Sequence, residues 1–287
     1  PELGREALLT AAELYDEVRV IDDAIRVYEQ YVDTYPAPLD IAMETRHRLS
    51  EIYHEQMDYQ RYFDELNEMI EQDRDAGPQR TDRSRFLASK AALVLAERQY
   101  EQFARIELTL PFEDSLALKQ QSMDDTLEIF QGLVDYEVAE VTAAATFYIA
   151  QVYLDFSASL LDSERPTDLT PAEMNSYELV LEEEAYPFEE QAITIHEENF
   201  ELLAAGIYNP WVQKSLDELA DLMPGRYAKD ETSEGFLGAL EVYAYRMPIV
   251  PPDPVEGEDE IDVSSNDASA GDGETQVVVS KAAGGTP

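Results

Sequence analysis

Two short helical patterns with almost nothing between them constrain this chain more than any other feature. From Glu2 to Val18 the apolar positions Leu3, Ala7, Leu8, Ala11, Leu14, Tyr15 and Val18 recur mainly at spacings of three and four. From Ile21 to Tyr35 the set is Ile21, Ala24, Ile25, Tyr28, Tyr31, Val32 and Tyr35. That period lays the side chains along one stripe of an α-helix. A connection of about two residues leaves no room for a crossover, so the helices must fold back as an antiparallel hairpin. Pro36 and Pro38 then stop the second helix, because proline has no amide hydrogen to continue the ladder.

The hairpin carries an internal pattern. Tyr15, Ala24, Tyr28 and Pro36 read Tyr-x8-Ala-x3-aromatic-x7-Pro, with the small Ala24 where the two helices cross. A second unit follows 38 residues on: Tyr53 answers Tyr15 and Leu66 answers Tyr28. Tyr62 stands where Ala24 was, and no proline follows at the equivalent place. The pattern resembles the tetratricopeptide repeat, a helix–turn–helix unit of about 34 residues. The resemblance implies an all-α, right-handed superhelix of antiparallel hairpins, noncatalytic, that takes peptides or subunits on its concave face.

The helix signal continues. Helices are expected at about 39–56, 58–74, 80–108, from Asp114 or Ser115 to 136, and 138–163. Thr170-Pro171-Ala172-Glu173 is a capping box with proline at the first helical position, and Asn209-Pro210 repeats the device before Trp211. Pro187 should kink or break the helix that Thr170 opens, and Pro224-Gly225 should close the one after Asn209. From Met247 the chain turns acidic and rich in Pro, Gly and Ser, too poor in apolar surface to offset the entropy of ordering. The expected organisation is therefore 1–76 tetratricopeptide-like hairpins, 77–247 a continuing hairpin region with longer helices, and 248–287 a disordered acidic tail.

A second resemblance covers residues 161–229. Leu161-Asp162-Ser163-Glu164-Arg165-Pro166, Leu181-Glu182-Glu183-Glu184-Ala185-Tyr186-Pro187-Phe188-Glu189-Glu190, Ile195-His196-Glu197, Pro210-Trp211-Val212 and Leu222-Met223-Pro224-Gly225-Arg226-Tyr227-Ala228-Lys229 are similar to segments of large bacterial tetratricopeptide proteins. Those proteins are described as components of Ton-type energy-transduction systems. The resemblance implies an exported or envelope-associated scaffold, periplasmic in a bacterium, and transfers no active site. The zero cysteine count suits an exported protein and a cytoplasmic one alike.

Charge and composition narrow the function. Sixty-two Asp and Glu against twenty Lys and Arg give a net charge of −42. Phosphate backbones need neutralising cations, so nucleic acid is excluded as a partner, and an anionic membrane surface is disfavoured. Without cysteine there are no disulfides, thiolate nucleophiles or Cys-ligated metals. No apolar run is long enough to span a bilayer. The acidity also suits a saline habitat, where Arg outnumbering Lys 15 to 5 is in keeping.

Few motifs carry chemistry. His196-Glu197 opens like a His-Glu-x-x-His zinc helix, but Phe200 occupies the second ligand position. Glu44-x-x-His47 and Glu51-x-x-His54 share one helix, whereas di-iron bundles converge such pairs from different helices. His47, Glu51 and His54 remain the one set that four-and-three spacing puts on a single face. No cofactor or metal is expected. Arg74, Arg80, Arg83, Arg85 and Lys90 form the only basic cluster, a possible docking point for an acidic segment. Seventeen tyrosines and one tryptophan belong mostly to a hairpin core, with Tyr31, Tyr35, Tyr62 and Trp211 as candidates to line a partner-binding groove. Such an acidic groove should take basic protein or peptide partners rather than small molecules, and its grip should weaken with salt. The alternative is a carboxylate-dependent hydrolase on the same helical body, since paired carboxylates are abundant.

Overall fold

The computed structural model describes residues 2–204 and 206–228, within a compact unit spanning Pro1–Glu231. The described residues are helical throughout, joined by turns. In chain order the helices are α1 (Glu2–Glu17), α2 (Ile21–Thr34), α3 (Leu39–Glu55), α4 (Tyr59–Asp75), α5 (Asp82–Ala104), α6 (Phe112–Val134), α7 (Ala139–Leu161), α8 (Pro171–Ala204), α9 (Pro210–Leu222) and α10 (Pro224–Tyr227). A 3₁₀ turn at Gly77–Gln79 joins α4 to α5.

Every helix packs on the next in sequence. The other well-packed pairs are α3 on α5, α5 on α7 and α7 on α9. From α3 onward the hairpins therefore stack with their first helices side by side, so that α3, α5, α7 and α9 form one layer, which α1 joins through the Arg48–Asp16 ion pair. No break falls at residues 76–77, because α4 and α3 both pack on α5. The boundary expected at 247 and the tail 248–287 lie outside the described residues.

Ala24 and Ala12, both wholly buried, belong to the first core with Tyr28, Tyr31, Val32 and, from the next hairpin, Leu49, Ile52 and Tyr53. Small side chains let α1 and α2 approach closely. The next cores have the same character: Met43, Leu66, Met69, Leu87 and Ala91 join α3, α4 and α5, and Phe103, Leu127, Phe156 and Ala185 join α5 to α8. Each core mixes neighbouring hairpins, so no hairpin buries its apolar face alone. Each buried Val, Leu, Ile, Phe or Met side chain among these contributes about 1.5–3 kcal/mol.

The repeat is visible in backbone hydrogen bonds. In the α1–α2 turn Arg19 N donates to Asp16 O (3.0 Å) and Val20 N to Tyr15 O (2.9 Å). In the α3–α4 turn Met57 N donates to His54 O (3.0 Å) and Asp58 N to Tyr53 O (2.9 Å). Each donor and acceptor of the second turn stands 38 residues after its counterpart in the first. These are helix-ending turns of the Schellman type, with Arg19 and Met57 in the left-handed conformation that glycine usually occupies. Gly206 takes that position at the end of α8, where Ile207 N reaches Leu202 O at 2.9 Å.

The structure corrects several sequence expectations. α5 ends at Ala104 rather than near 108, because Leu108 turns into the core and its carbonyl accepts from Glu164 N (2.8 Å). α6 begins at Phe112, ahead of Asp114 and Ser115; the Ser115 hydroxyl folds back on the Thr109 carbonyl at 2.7 Å. Pro187 does not break its helix, for α8 runs 34 residues through it. Phe188 packs on Phe156 with ring centroids 4.6 Å apart, and Ser157 Oγ donates to Ala185 O at 3.1 Å. Packing along α7 outweighs the roughly 3 kcal/mol that an internal proline costs. α9 does end at Leu222, just before Pro224-Gly225, and the pair then opens the four-residue α10. Residues 234–245, whose sequence pattern fits a last helix or an extended segment equally, fall outside the described residues.

Candidate functional site

Three grooves follow one another along the layer of odd-numbered helices. Between α1 and α3 lies one of about 340 Å³, with Tyr28 among its lining residues and Glu13, Asp16, Arg19 and Arg48 around it. Between α3 and α5 lies one of about 380 Å³, lined by Tyr62, Leu66, Met69, Leu87 and Ala91 and edged by His47, Glu51, His54, Glu55 and Lys90. Tyr28 and Leu66, equivalent in the repeat, thus line successive grooves. The third, about 600 Å³, lies between the α5–α6 connection and the C-terminal end of α7, lined by Glu107, Asp155, Asp162 and Glu164 without a lysine or arginine.

The electrostatics change along this layer. At the α1–α3 groove Arg48 grips Asp16 through two hydrogen bonds of 2.6 and 3.0 Å. The Arg48 guanidinium holds the Asp16 carboxyl below its ordinary value, and burial pushes the Tyr28 hydroxyl up to about 12. From α5 to α9 tyrosine takes over from arginine. Tyr100 on α5 donates to Asp155 on α7 at 2.6 Å, and Tyr148 on α7 donates to Glu97 on α5 at 3.2 Å. These reciprocal bonds lace the two helices together. Burial, then the neighbouring carboxylates, raise both hydroxyls above the usual tyrosine range. Burial also raises the Glu97 carboxyl, the Tyr148 hydrogen bond opposing it, and raises Glu218 on α9. Among the described residues none of Glu97, Asp155 and Glu218 belongs to an ion pair.

Trp211 closes this end. Its ring packs 5.6 Å from Phe147 and 5.3 Å from Tyr148, and Lys214 Nζ sits 3.8 Å from its centroid. Asn209 caps α9 and sets the ring's position, its Oδ1 accepting from Trp211 N (3.0 Å) and Val212 N (3.1 Å).

The other sequence candidates divide. Tyr31 is wholly inside the first core, so it is not a partner contact. Tyr35 is half-buried against that core, and Tyr62 alone of the three tyrosines lines a groove. Among the repeat positions Ala24, Tyr28, Tyr53 and Leu66 are buried, Pro36 is exposed just past α2, and Tyr15 is 36% exposed where a core residue was expected. The basic cluster is spent within the chain. Arg80 pairs with the buried Asp73 (2.8 Å), Arg85 with Asp82 (2.7 Å), Lys90 with Glu140 (2.9 Å), Arg83 with Glu44 and Arg74 with Asp75 (3.2 Å). Each base of the cluster thus has a carboxylate partner among the described residues.

His47 and Glu51 lie 3.8 Å apart, while the His54 ring packs on Tyr62 with centroids at 5.0 Å. Among the described residues no group of three His, Asp or Glu side chains is placed to hold a metal ion, and no helix is long and apolar enough to cross a membrane. His196 is buried against Phe147, its Nδ1 3.2 Å from Ser215 Oγ, and burial drops its pKa to about 4.

Sequence reasoning missed Glu97, Tyr100, Tyr148 and Asp155. The available signal was weak: two tyrosines and two acids at helical spacing, whose meeting depends on how α5 lies against α7. No family model, no curated protein and no solved structure matches this chain.

Proposed function

We propose that this protein is a noncatalytic interaction scaffold that captures a Lys- and Arg-bearing protein or peptide on the layer of odd-numbered helices. The observation that supports it is the set Glu97, Asp155 and Glu218. These carboxylates lie along α5, α7 and α9 outside any ion pair of the described residues, and two of them carry raised pKa values because burial makes their charge costly. An incoming ammonium or guanidinium relieves that cost through charge-assisted hydrogen bonds, and Lys214 Nζ, 3.8 Å from the Trp211 ring centroid, already seats one cation on an aromatic face at this end. The net charge of −42 steers basic partners from a distance. In this reading the hairpins are tetratricopeptide-like and wind into a right-handed superhelix with this layer on its concave side. The sequence resemblance supports a bacterial-envelope assembly as the one it serves.

The test must separate this site from general attraction to an acidic protein. A fluorescent Lys/Leu peptide is titrated against the native chain, against a face variant (Glu97→Gln, Asp155→Asn, Glu218→Gln), and against a control with the same charge change on α8 (Glu178→Gln, Glu182→Gln, Glu183→Gln). The face variant should lose at least tenfold in affinity, the control should keep most of it, and native binding should weaken from low to high salt. Equal losses in the two variants, or an affinity flat with salt, would refute the reading.

A further inference from the structure

We infer that the outward face of α1 is a docking surface for an amphipathic helix of the α2 kind, carried by another helical hairpin. The 38-residue repeat places Leu3, Ala11, Leu14 and Tyr15 of α1 in register with Ile41, Leu49, Ile52 and Tyr53 of α3. On α3 those side chains pack into the core that α2 builds. Leu49 and Ile52 are fully buried, and Tyr53 is 1% exposed with its hydroxyl donating to Glu29 of α2 at 2.7 Å. On α1 three of the four corresponding positions lie open, Leu3 at 82% exposure, Leu14 at 55% and Tyr15 at 36%, while Ala11 is partly buried against the first core.

The apolar arc of α1 is therefore wide enough for two neighbours, and α2 covers one side of it. The open side repeats, position for position, the surface by which α3 receives α2, and so continues an interface that the fold already uses. An occupant that fits presents an apolar stripe like that of α2, with a carboxylate in the place of Glu29 to accept from the Tyr15 hydroxyl. This surface lies apart from the α5–α9 site, and the inference stands or falls independently of the proposed function.

The test keeps the full chain and adds a second copy of residues 1–38 directly before Pro1, which preserves the 38-residue period. Tyr15→Phe in the added copy leaves one reporter, the original Tyr15. Nitration of that tyrosine, read by mass spectrometry, should fall severalfold against the parent chain, and the melting temperature should rise by several degrees. Leu14→Arg in the receiving α1 should restore full reactivity. Unchanged nitration with an unchanged melting temperature would overturn the proposal. So would a parent chain that sediments as a dimer and becomes monomeric on Leu14→Gln, because the face would then serve a second copy. Should the extended chain fail to fold, Leu14→Gln in the parent still decides: an open face predicts an unchanged melting temperature, and a fall of many degrees would show the face already covered.

Discussion

Arg19 and Met57 hold the same left-handed backbone position, with φ of 61° and 60°, in two hairpin turns 38 residues apart. A side chain there crowds the following carbonyl, at a cost of about 1–2 kcal/mol that glycine escapes. Met57 is 74% exposed, so little packing is lost with its side chain. Met57→Gly should stabilise the protein by about 0.5–1 kcal/mol, after the greater freedom of glycine in the unfolded chain is deducted. Urea denaturation measures it. A loss of stability would show that the turn carries no such strain.

Ala24 is wholly buried in the core that holds Ala12. Leucine at this position adds three carbons where the helices have no slack. Ala24→Leu should cost about 1–3 kcal/mol. An unchanged melting curve would mean that α1 and α2 can separate freely.

Lys119 is a buried cation used as a helix cap. Its Nζ donates to Phe103 O (3.1 Å) and Ile106 O (2.9 Å) at the end of α5 and lies 4.3 Å from the Phe103 ring centroid. Burial lowers its pKa. Lys119→Met keeps the aliphatic stem but leaves the two carbonyls without this donor, so stability should fall by about 1–3 kcal/mol. Amide exchange in the last turn of α5 should quicken with it. A neutral outcome would show that water replaces the ammonium without loss.

His196 makes stability depend on pH. In the unfolded chain its imidazole titrates near 6.5, and in the fold burial lowers this to about 4. Above pH 6.5 both states are neutral and the group adds no pH dependence. As pH falls from 6.5 toward 4 the unfolded state takes up the proton first, so the fold loses stability across that window, by up to about 3 kcal/mol. His196→Gln should remove this slope. Denaturation at pH 7.5 and pH 4.5 should show the native chain losing more than the variant on acidification, and parallel losses would sink the assignment.

The sequence by itself determined the hairpins. Apolar spacing, a two-residue turn, Asn209 before Pro210 and the small Ala24 are local signals, and local signals suffice to start these helices and to pair the first two. The tertiary structure alone decided what each side chain does once the helices meet. Tyr31 and Tyr62 are both tyrosines on apolar stripes, yet one fills the first core and the other lines a groove. The five bases between Arg74 and Lys90 look free in the sequence, but in an acidic chain each finds a carboxylate, and Lys90 finds Glu140 on α7. The Tyr100–Asp155 and Tyr148–Glu97 bonds join residues more than 50 positions apart, and Phe188 on Phe156 carries α8 through Pro187. The reason is physical: helix periodicity fixes which face of a helix is apolar, while the pairing of faces, and so the site, is set by contacts that exist only when distant helices are packed.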